Sequence, residues 1–378
     1  MSDPARILVV DDEPGIQRSI QRILGRRHTV RLTSSGREAL ELLAREPQDL
    51  AIVDVRMPGM TGFELLKKIK ALHPDTEVII MTGSVSNPEE KLVEALRERA
   101  FYFINKPFEK AVLETLVERC LELQQLEREN RARTLALEDD LERARAFQRI
   151  LMPDWFPRVP GLRGDVWYEP SERLGGDFYD FFTQGESHFG MVLADVAGHG
   201  VQAALFTGML KSELGAVEDQ WIDPRRLFRR LNDRFYPITR NQFITAVLFV
   251  LDLDAREARY VSAGHPSFLA SDGTSWESTG TPLGMLEGRD YEVRSFPITS
   301  GLRLLFYTDG LLEALHPDGD EFGVERLRRA FDSTHDLSPD RALEAIMGHV
   351  KEFSGGTALG DDATAILLEY DPDQRGYT

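Results

Sequence analysis

The sequence holds a single cysteine, Cys120, among its 378 residues. No intrachain disulfide can form, and a reducing compartment is its natural setting. It lacks any apolar run near the roughly 18–20 residues of a membrane span; Ala246–Leu251 is only a strand's length. The opening Met-Ser-Asp-Pro-Ala-Arg has no signal-peptide pattern, so a soluble cytoplasmic protein without membrane contact is expected. A basic excess is also missing: the formal charge is −18. Residues 1–108 balance at 16 basic and 16 acidic side chains, 109–152 carry 8 and 10, and 153–378 carry 21 against 37. An acidic second half opposes binding to a phosphate backbone, and nothing resembling a helix-turn-helix follows the first hundred residues, so nucleic acid is not an expected partner. There are no clustered cysteines and no His-x-x-x-His pair, which leaves oxygen ligands as the only metal chemistry on offer.

What the second half does hold is aspartate in four glycine-flanked segments. These are Gly175-Gly176-Asp177-Phe178-Tyr179-Asp180, Ala194-Asp195-Val196-Ala197-Gly198-His199-Gly200, Tyr307-Thr308-Asp309-Gly310 and Gly360-Asp361-Asp362-Ala363-Thr364. Three of them adjoin apolar, β-prone runs: Met191–Ala194, Leu304–Thr308 and Ala365–Leu368. A carboxylate at a strand end is held rigidly, and glycine lets the backbone approach an ion closely. Hard divalent cations take such oxygen donors, and nearby carboxylates tolerate one another best with cations between them.

In the first hundred residues strands and helices alternate. Ile7–Val10, Val30–Thr33, Leu50–Val53, Val78–Met81 and Tyr102–Ile104 read as strands, and Pro14–Arg26, Gly36–Arg45, Gly62–Leu72 and Pro88–Arg97 as helices. Five strands with crossover helices imply an α/β doubly wound parallel sheet with its ligands at the carboxyl ends of the strands. Those ends carry Asp11-Asp12, Asp54, Met81-Thr82-Gly83 and Asn105-Lys106-Pro107-Phe108. With Val9-Val10-Asp11-Asp12-Glu13-Pro14 and Asp54-Val55-Arg56-Met57-Pro58-Gly59, residues 5–118 resemble the flavodoxin-like receiver domain of two-component signalling. The resemblance implies Asp54 as phosphoacceptor, with Asp11, Asp12, Asp54 and the Arg56 carbonyl around Mg²⁺. It further implies that Thr82 and Lys106 engage the acyl phosphate, that Phe103 is the switch aromatic, and that a sensor histidine kinase or another phosphodonor is a partner. The stretch from Thr82 to Lys106 is about two residues longer than the family pattern suggests, and Arg99 replaces a frequent glycine, so an unusual surface is expected there.

From Glu109 to Leu151 there is neither proline nor glycine, and the composition favours helix. A heptad seam runs Leu113, Leu116, Cys120, Leu123, Glu127, Asn130, Thr134, Leu137, Leu141, Ala144, Gln148, Leu151, apolar at both ends and polar in the middle. Four readings stay open: a parallel coiled coil that makes a homodimer, two helices broken at the polar centre, a register set by Asn130, or one connector lying on its own domains.

Beyond Asp165, short strands dominate: Val166–Tyr168, His188–Leu193, Phe243–Leu253, Ala258–Ser262, Ser267–Leu269, Tyr291–Phe296 and Arg303–Tyr307. Val201–Val217, Asp223–Tyr236, Gly323–Phe331 and Pro339–Glu352 read as helices, giving an α+β sandwich flanked by helices. Together with Gln148-Arg149-Ile150-Leu151-Met152-Pro153, Phe243-Ile244-Thr245-Ala246, Ser262-Ala263-Gly264-His265-Pro266 and Pro282-Leu283-Gly284, the aspartates resemble the metal-dependent protein phosphatase superfamily, in its SpoIIE/RsbU-like, protein phosphatase 2C-like branch. That resemblance implies two Mn²⁺ or Mg²⁺ ions, with Asp195 bridging, Asp309 and Asp361 on one, and Asp177 with the Val196 carbonyl on the other. His199 is either a proton donor or a helix cap, His265 is structural, and Asp180 and Asp362 receive no role.

The expected organisation is a receiver over 1–120, a linker helix over 109–152, a phosphatase domain over 153–372 and a tail over 373–378. The expected function is a response regulator whose output is hydrolysis of phosphoserine or phosphothreonine on a protein. By resemblance, the substrate is a STAS-type anti-sigma-factor antagonist in a partner-switching pathway. A non-catalytic adaptor is the alternative.

Overall fold

The computed structural model describes residues 4–83, 100–171, 174–239 and 242–372. The helix expected over Pro88–Arg97, Arg99 and the tail 373–378 lie outside the described residues. The chain divides into two compact units, Met1–Leu137 and Glu138–Thr378.

In the first unit the apolar runs become β1 (Arg6–Val10), β2 (Thr29–Thr33), β3 (Leu50–Asp54), β4 (Glu77–Thr82) and β5 (Tyr102–Asn105), with α1 (Pro14–Leu24), α2 (Gly36–Arg45) and α3 (Gly62–Leu72) between them. All strand pairs are parallel, in the order β2-β1-β3-β4-β5. Both sheet faces are covered, as continuous apolar strands require. Leu8, Val10, Ala51 and Val53 point into one core, and Ile7, Val9, Ile52 and Ile79 into the other. Ser35 caps α2 by accepting from the Glu38 amide, and Thr61 with Glu64 forms a reciprocal capping box on α3. A side chain on Gly62 would fall 2.3 Å from the Asp54 carbonyl oxygen, so glycine there lets α3 begin directly against the end of β3.

The connector is one continuous helix, α4 (Lys110–Leu151). Its 42 residues measure about 63 Å at 1.5 Å per residue. The coiled-coil seam expected from Leu113 onward needs correction. Leu113, Val117 and Cys120 are fully buried in the first unit's core, with Leu116 packed against it. Gln124 donates to the backbone oxygens of Asp49 (2.9 Å) and Asp75 (2.5 Å). Leu113, Leu116 and Cys120 are therefore covered by their own domain. From 125 to 147 the helix is exposed except for half-buried Leu141.

The second unit has two antiparallel five-stranded sheets. One follows the order β13-β10-β9-β8-β7 and is built from β7 (Asp177–Gln184), β8 (His188–Val196), β9 (Ile244–Asp252), β10 (Glu257–Ala263) and β13 (Arg294–Pro297). The other follows β12-β11-β14-β15-β6, from β6 (Leu162–Glu169), β11 (Phe268–Ala270), β12 (Ser275–Trp276), β14 (Leu302–Tyr307) and β15 (Ala363–Tyr370). Aromatic rings join them: Phe249 of the first sheet packs on Phe306 and Phe268 of the second, at 5.3 and 6.4 Å between centroids. Helices α5 (Val201–Gly215) and α6 (Pro224–Thr239) share the core that includes the first sheet; α7 (Gly323–Asp332) and α8 (Pro339–Phe353) pack on β14 and β15 of the second. Strand β13 is shorter than the Tyr291–Phe296 expected, because pairing with β10 begins only at Arg294.

Candidate functional site

In the first unit the strand ends bring the expected residues to one edge. Asp11 follows β1, Asp54 ends β3, Thr82 ends β4 and Lys106 follows β5. The Lys106 ammonium bridges both carboxylates, 2.5 Å from Asp11 Oδ2 and 2.7 Å from Asp54 Oδ1. Burial lifts the Asp11 pKa above the ordinary carboxylate range, against the pull of its bond from Lys106. Burial would depress Lys106, but its bonds to the two aspartates outweigh that and hold its pKa above the usual lysine value. Asp54 Oδ2 also accepts from the Arg56 amide at 3.0 Å. Asp12 is exposed beside them, and Phe103 is half-buried against the core. The Thr82 hydroxyl is buried and has no hydrogen-bond partner among the described residues. An anion with spare oxygen lone pairs on Asp54 would satisfy it.

In the second unit the four aspartates meet at one end of both sheets. Asp177 opens β7 directly opposite Asp195 near the end of β8, while Asp309 follows β14 and Asp361 precedes its neighbour β15. Burial, then the charges of Asp309 and Asp361, push the Asp195 pKa up to about 7. Asp177 is driven well above the carboxylate range by burial and by Asp195, although Thr364 and Thr308 donate to its Oδ2 at 2.5 and 2.8 Å. Burial and Asp361 also raise Asp309. Among the described residues no three acidic, histidine or cysteine side chains close into a finished metal-ligand set. Like charges push such side chains apart unless cations lie between them. A Cβ on Gly176 would meet the Val196 carbonyl oxygen at 2.7 Å and Asp195 Oδ1 at 3.2 Å, so glycine leaves both oxygens uncovered. The donor set, all oxygen and under mutual repulsion, fits hard divalent cations.

Comparison with known proteins finds a family model within each unit. Residues 7–118 fit the family model "Response regulator receiver domain", and residues 185–371 fit that of "Stage II sporulation protein E (SpoIIE)". The chain joins a receiver domain to a SpoIIE-type PP2C fold. Protein IcfG of Synechocystis sp. is 28% identical over 61% of this chain and 41% of its own length. Phosphoserine phosphatase RsbP of Bacillus subtilis is 29% identical over 46% of this chain and 45% of its own. The chain thus spans less than half of either relative. The SiaA-PP2C domain of Pseudomonas aeruginosa superposes with a TM-score of 0.56 at 23% identity, covering 64% of this chain and 99% of that one, which shows the fold.

Within the PP2C fold, several residues to which the sequence reading gave no role hold the aspartates in place. Asp362, on β15's entry, accepts from the Ser171 amide at 2.8 Å and from the Gly176 amide at 2.5 Å. Thr308 and Thr364 clamp Asp177, and their position directly beside Asp309 and after Asp362 was the available signal. Asp180 pairs with Lys211 of α5 at 2.8 Å, tying β7 to that helix. His199 lies exposed before α5, whose N-cap position falls on Gly200 instead. His265 is buried, as its structural reading requires, with Nδ1 3.0 Å from Thr245 Oγ1.

Proposed function

We propose that the chain is a cytoplasmic response regulator whose output is metal-dependent hydrolysis of phosphoserine or phosphothreonine on a protein. The observation that carries this reading is the electrostatic meeting of Asp177, Asp195, Asp309 and Asp361 at one strand-end cluster, with Asp195 raised to about 7. Asp195 would contact both ions, Asp309 and Asp361 would hold one, and Asp177 with the Val196 carbonyl would hold the other. Two Mn²⁺ or Mg²⁺ ions supply positive charge that lets a water lose its proton near neutral pH and offsets the charge of the phosphoryl group. The chain's own contribution is rigidity: the Thr308 and Thr364 hydroxyls fix Asp177, and the Asp362 carboxylate fixes the loop before it.

In the receiver, Asp54 would take a phosphoryl group from a sensor kinase or small phosphodonor. Asp11, Asp12 and the Arg56 carbonyl would hold Mg²⁺. Lys106 already lies against Asp54, and the unpartnered Thr82 hydroxyl would donate to the acyl phosphate. The naming of RsbP as a phosphoserine phosphatase supports the choice of reaction. A STAS-type anti-sigma-factor antagonist is the substrate we favour by that likeness.

Hydrolysis of para-nitrophenyl phosphate and of a phosphoserine peptide should require Mn²⁺, vanish with EDTA, and be abolished in Asp195→Asn while circular dichroism stays native. Near-normal turnover in that variant would defeat the two-ion assignment. A native chain that binds Mn²⁺ but hydrolyses neither substrate would favour an adaptor.

A further inference from the structure

The last turn of α4 and the loop that presents Asp177 both precede the 185–371 segment that matches the SpoIIE model, and the helix reaches that loop. Gln148, 5% exposed, makes a reciprocal pair of bonds with Gly175: its Nε2 donates to the Gly175 carbonyl at 2.7 Å, and the Gly175 amide donates to its Oε1 at 3.2 Å. Nε2 also donates to Thr207 Oγ1 on α5 at 3.1 Å. One residue further, Gly176 donates to Asp362, and its carbonyl accepts from the Val196 amide at 3.2 Å. Asp177 is next. The side chain of Leu151 lies 3.7 Å from where a Cβ on Gly208 would be, an ordinary contact distance that places this turn against α5. The Gly175-Gly176 segment is therefore held from two directions, by Asp362 of the sheet and by Gln148 of the connector.

We propose that Gln148 is a positioning residue, which sets the Gly175–Asp177 loop for divalent-cation binding and makes the end of the connector helix part of that site. The inference rests on the functional reading above. A primary amide suits the task because it offers a donor and an acceptor to the carbonyl and the amide of one residue, across two successive peptide units, which no other side chain of that length and neutrality does. Its reach is three steps: Gln148 fixes Gly175, Gly175 fixes the direction of Gly176, and Gly176 keeps the Val196 carbonyl and Asp195 uncovered for the ion. Supporting hydrogen bonds behind metal ligands typically govern affinity by roughly 10- to 100-fold.

The test is Mn²⁺ binding by calorimetry on the full chain with the receiver's cation site removed by Asp12→Asn and Asp54→Asn, for proteins that are native at Gln148 or carry Gln148→Met or Gln148→Glu. Methionine keeps length and removes every hydrogen bond, whereas glutamate keeps an acceptor for the Gly175 amide but no amide donor. We expect Mn²⁺ affinity to fall about tenfold or more in Gln148→Met and by less in Gln148→Glu. A merely structural role would lower the melting temperature and leave the affinity of the folded protein unchanged. Equal affinity in all three folded proteins overturns the inference alone. A protein native at Gln148 that binds no Mn²⁺ overturns the functional reading and this inference with it. If the variants do not fold, hydrogen exchange on the native chain decides. Mn²⁺ should slow exchange both in 174–180 and in 145–152, and slowing confined to the aspartate segments would overturn the link.

Discussion

At the scale of the residue, the PP2C fold places its buried polar groups where they hold other polar groups still. Asp362 shows this most directly, because its two oxygens serve amides 191 and 186 residues earlier in the sequence, at Ser171 and Gly176. Asp362→Ala should cost roughly 1–3 kcal/mol in urea unfolding, since buried donors lose their acceptor. An unchanged midpoint would show that the loop finds other partners. His265 gives a pH-dependent counterpart. Burial pushes its pKa down to about 3, whereas an unfolded histidine titrates near ~6.5. Between those values the unfolded chain binds the extra proton, so the stability tied to neutral His265 is complete above about 6.5 and drains as pH falls toward 3. Unfolding midpoints at pH 7 and at mildly acid pH should therefore differ less in His265→Gln than in the native chain, and an equal difference would remove His265 from the cause. His265 reads as structural from the sequence alone, but Asp362 receives no role there. An aspartate beside another aspartate looks redundant, and no local spacing reveals an amide nearly two hundred residues away.

At the scale of the element, what could be read depended on how the burial was arranged. The receiver strands are covered on both faces, so Ile7–Val10 and Leu50–Val53 stand out as unbroken apolar runs, and their ends identify the edge where Asp11, Asp54 and Lys106 meet. Strand β7 was missed because Asp177 and Asp180 look like turn residues, although Phe178, Tyr179, Phe181 and Phe182 carried a β signal. The connector shows a different ambiguity. Apolar residues at heptad spacing look the same whether they face a second copy or the chain's own core, and at Leu113, Leu116 and Cys120 the core takes them. What remains for pairing is the exposed centre, where Leu126 and Leu137 are 53% and 64% exposed. We expect dimerisation through this stretch, so Leu126→Glu with Leu137→Glu should lower the mass by light scattering to that of a monomer while receiver and phosphatase domains stay folded. An unchanged mass would place any dimer contact elsewhere. Changing Leu116 and Leu123 would be a poorer test, because Leu116 packs on the receiver core.

At the scale of the whole molecule, a phosphoryl group on Asp54 can alter hydrolysis only through an element with at least two arrangements that each site biases differently. We expect helix α4 to be that element, from its attachments. Its first turns are fixed in the receiver core by Leu113, Val117 and Cys120, its last turn is hydrogen-bonded to Gly175, and its centre is exposed. The polar positions Glu127, Asn130 and Thr134 make a paired centre weaker than an all-leucine one, so pairing states there differ by little free energy. Beryllofluoride, which mimics the acyl phosphate, should therefore promote pairing and accelerate hydrolysis in the native chain. Asp54→Ala should show neither response, which ties the effect to the receiver. The Leu126→Glu, Leu137→Glu protein should bind beryllofluoride yet keep its basal rate, because the receiver edge is intact while the centre cannot pair. Should beryllofluoride accelerate that monomeric variant as much as the native chain, the signal does not pass by helix pairing. It would then have to travel along a single helix to Gln148, and the exchange of segment 145–152 on adding beryllofluoride would be the measurement that shows it.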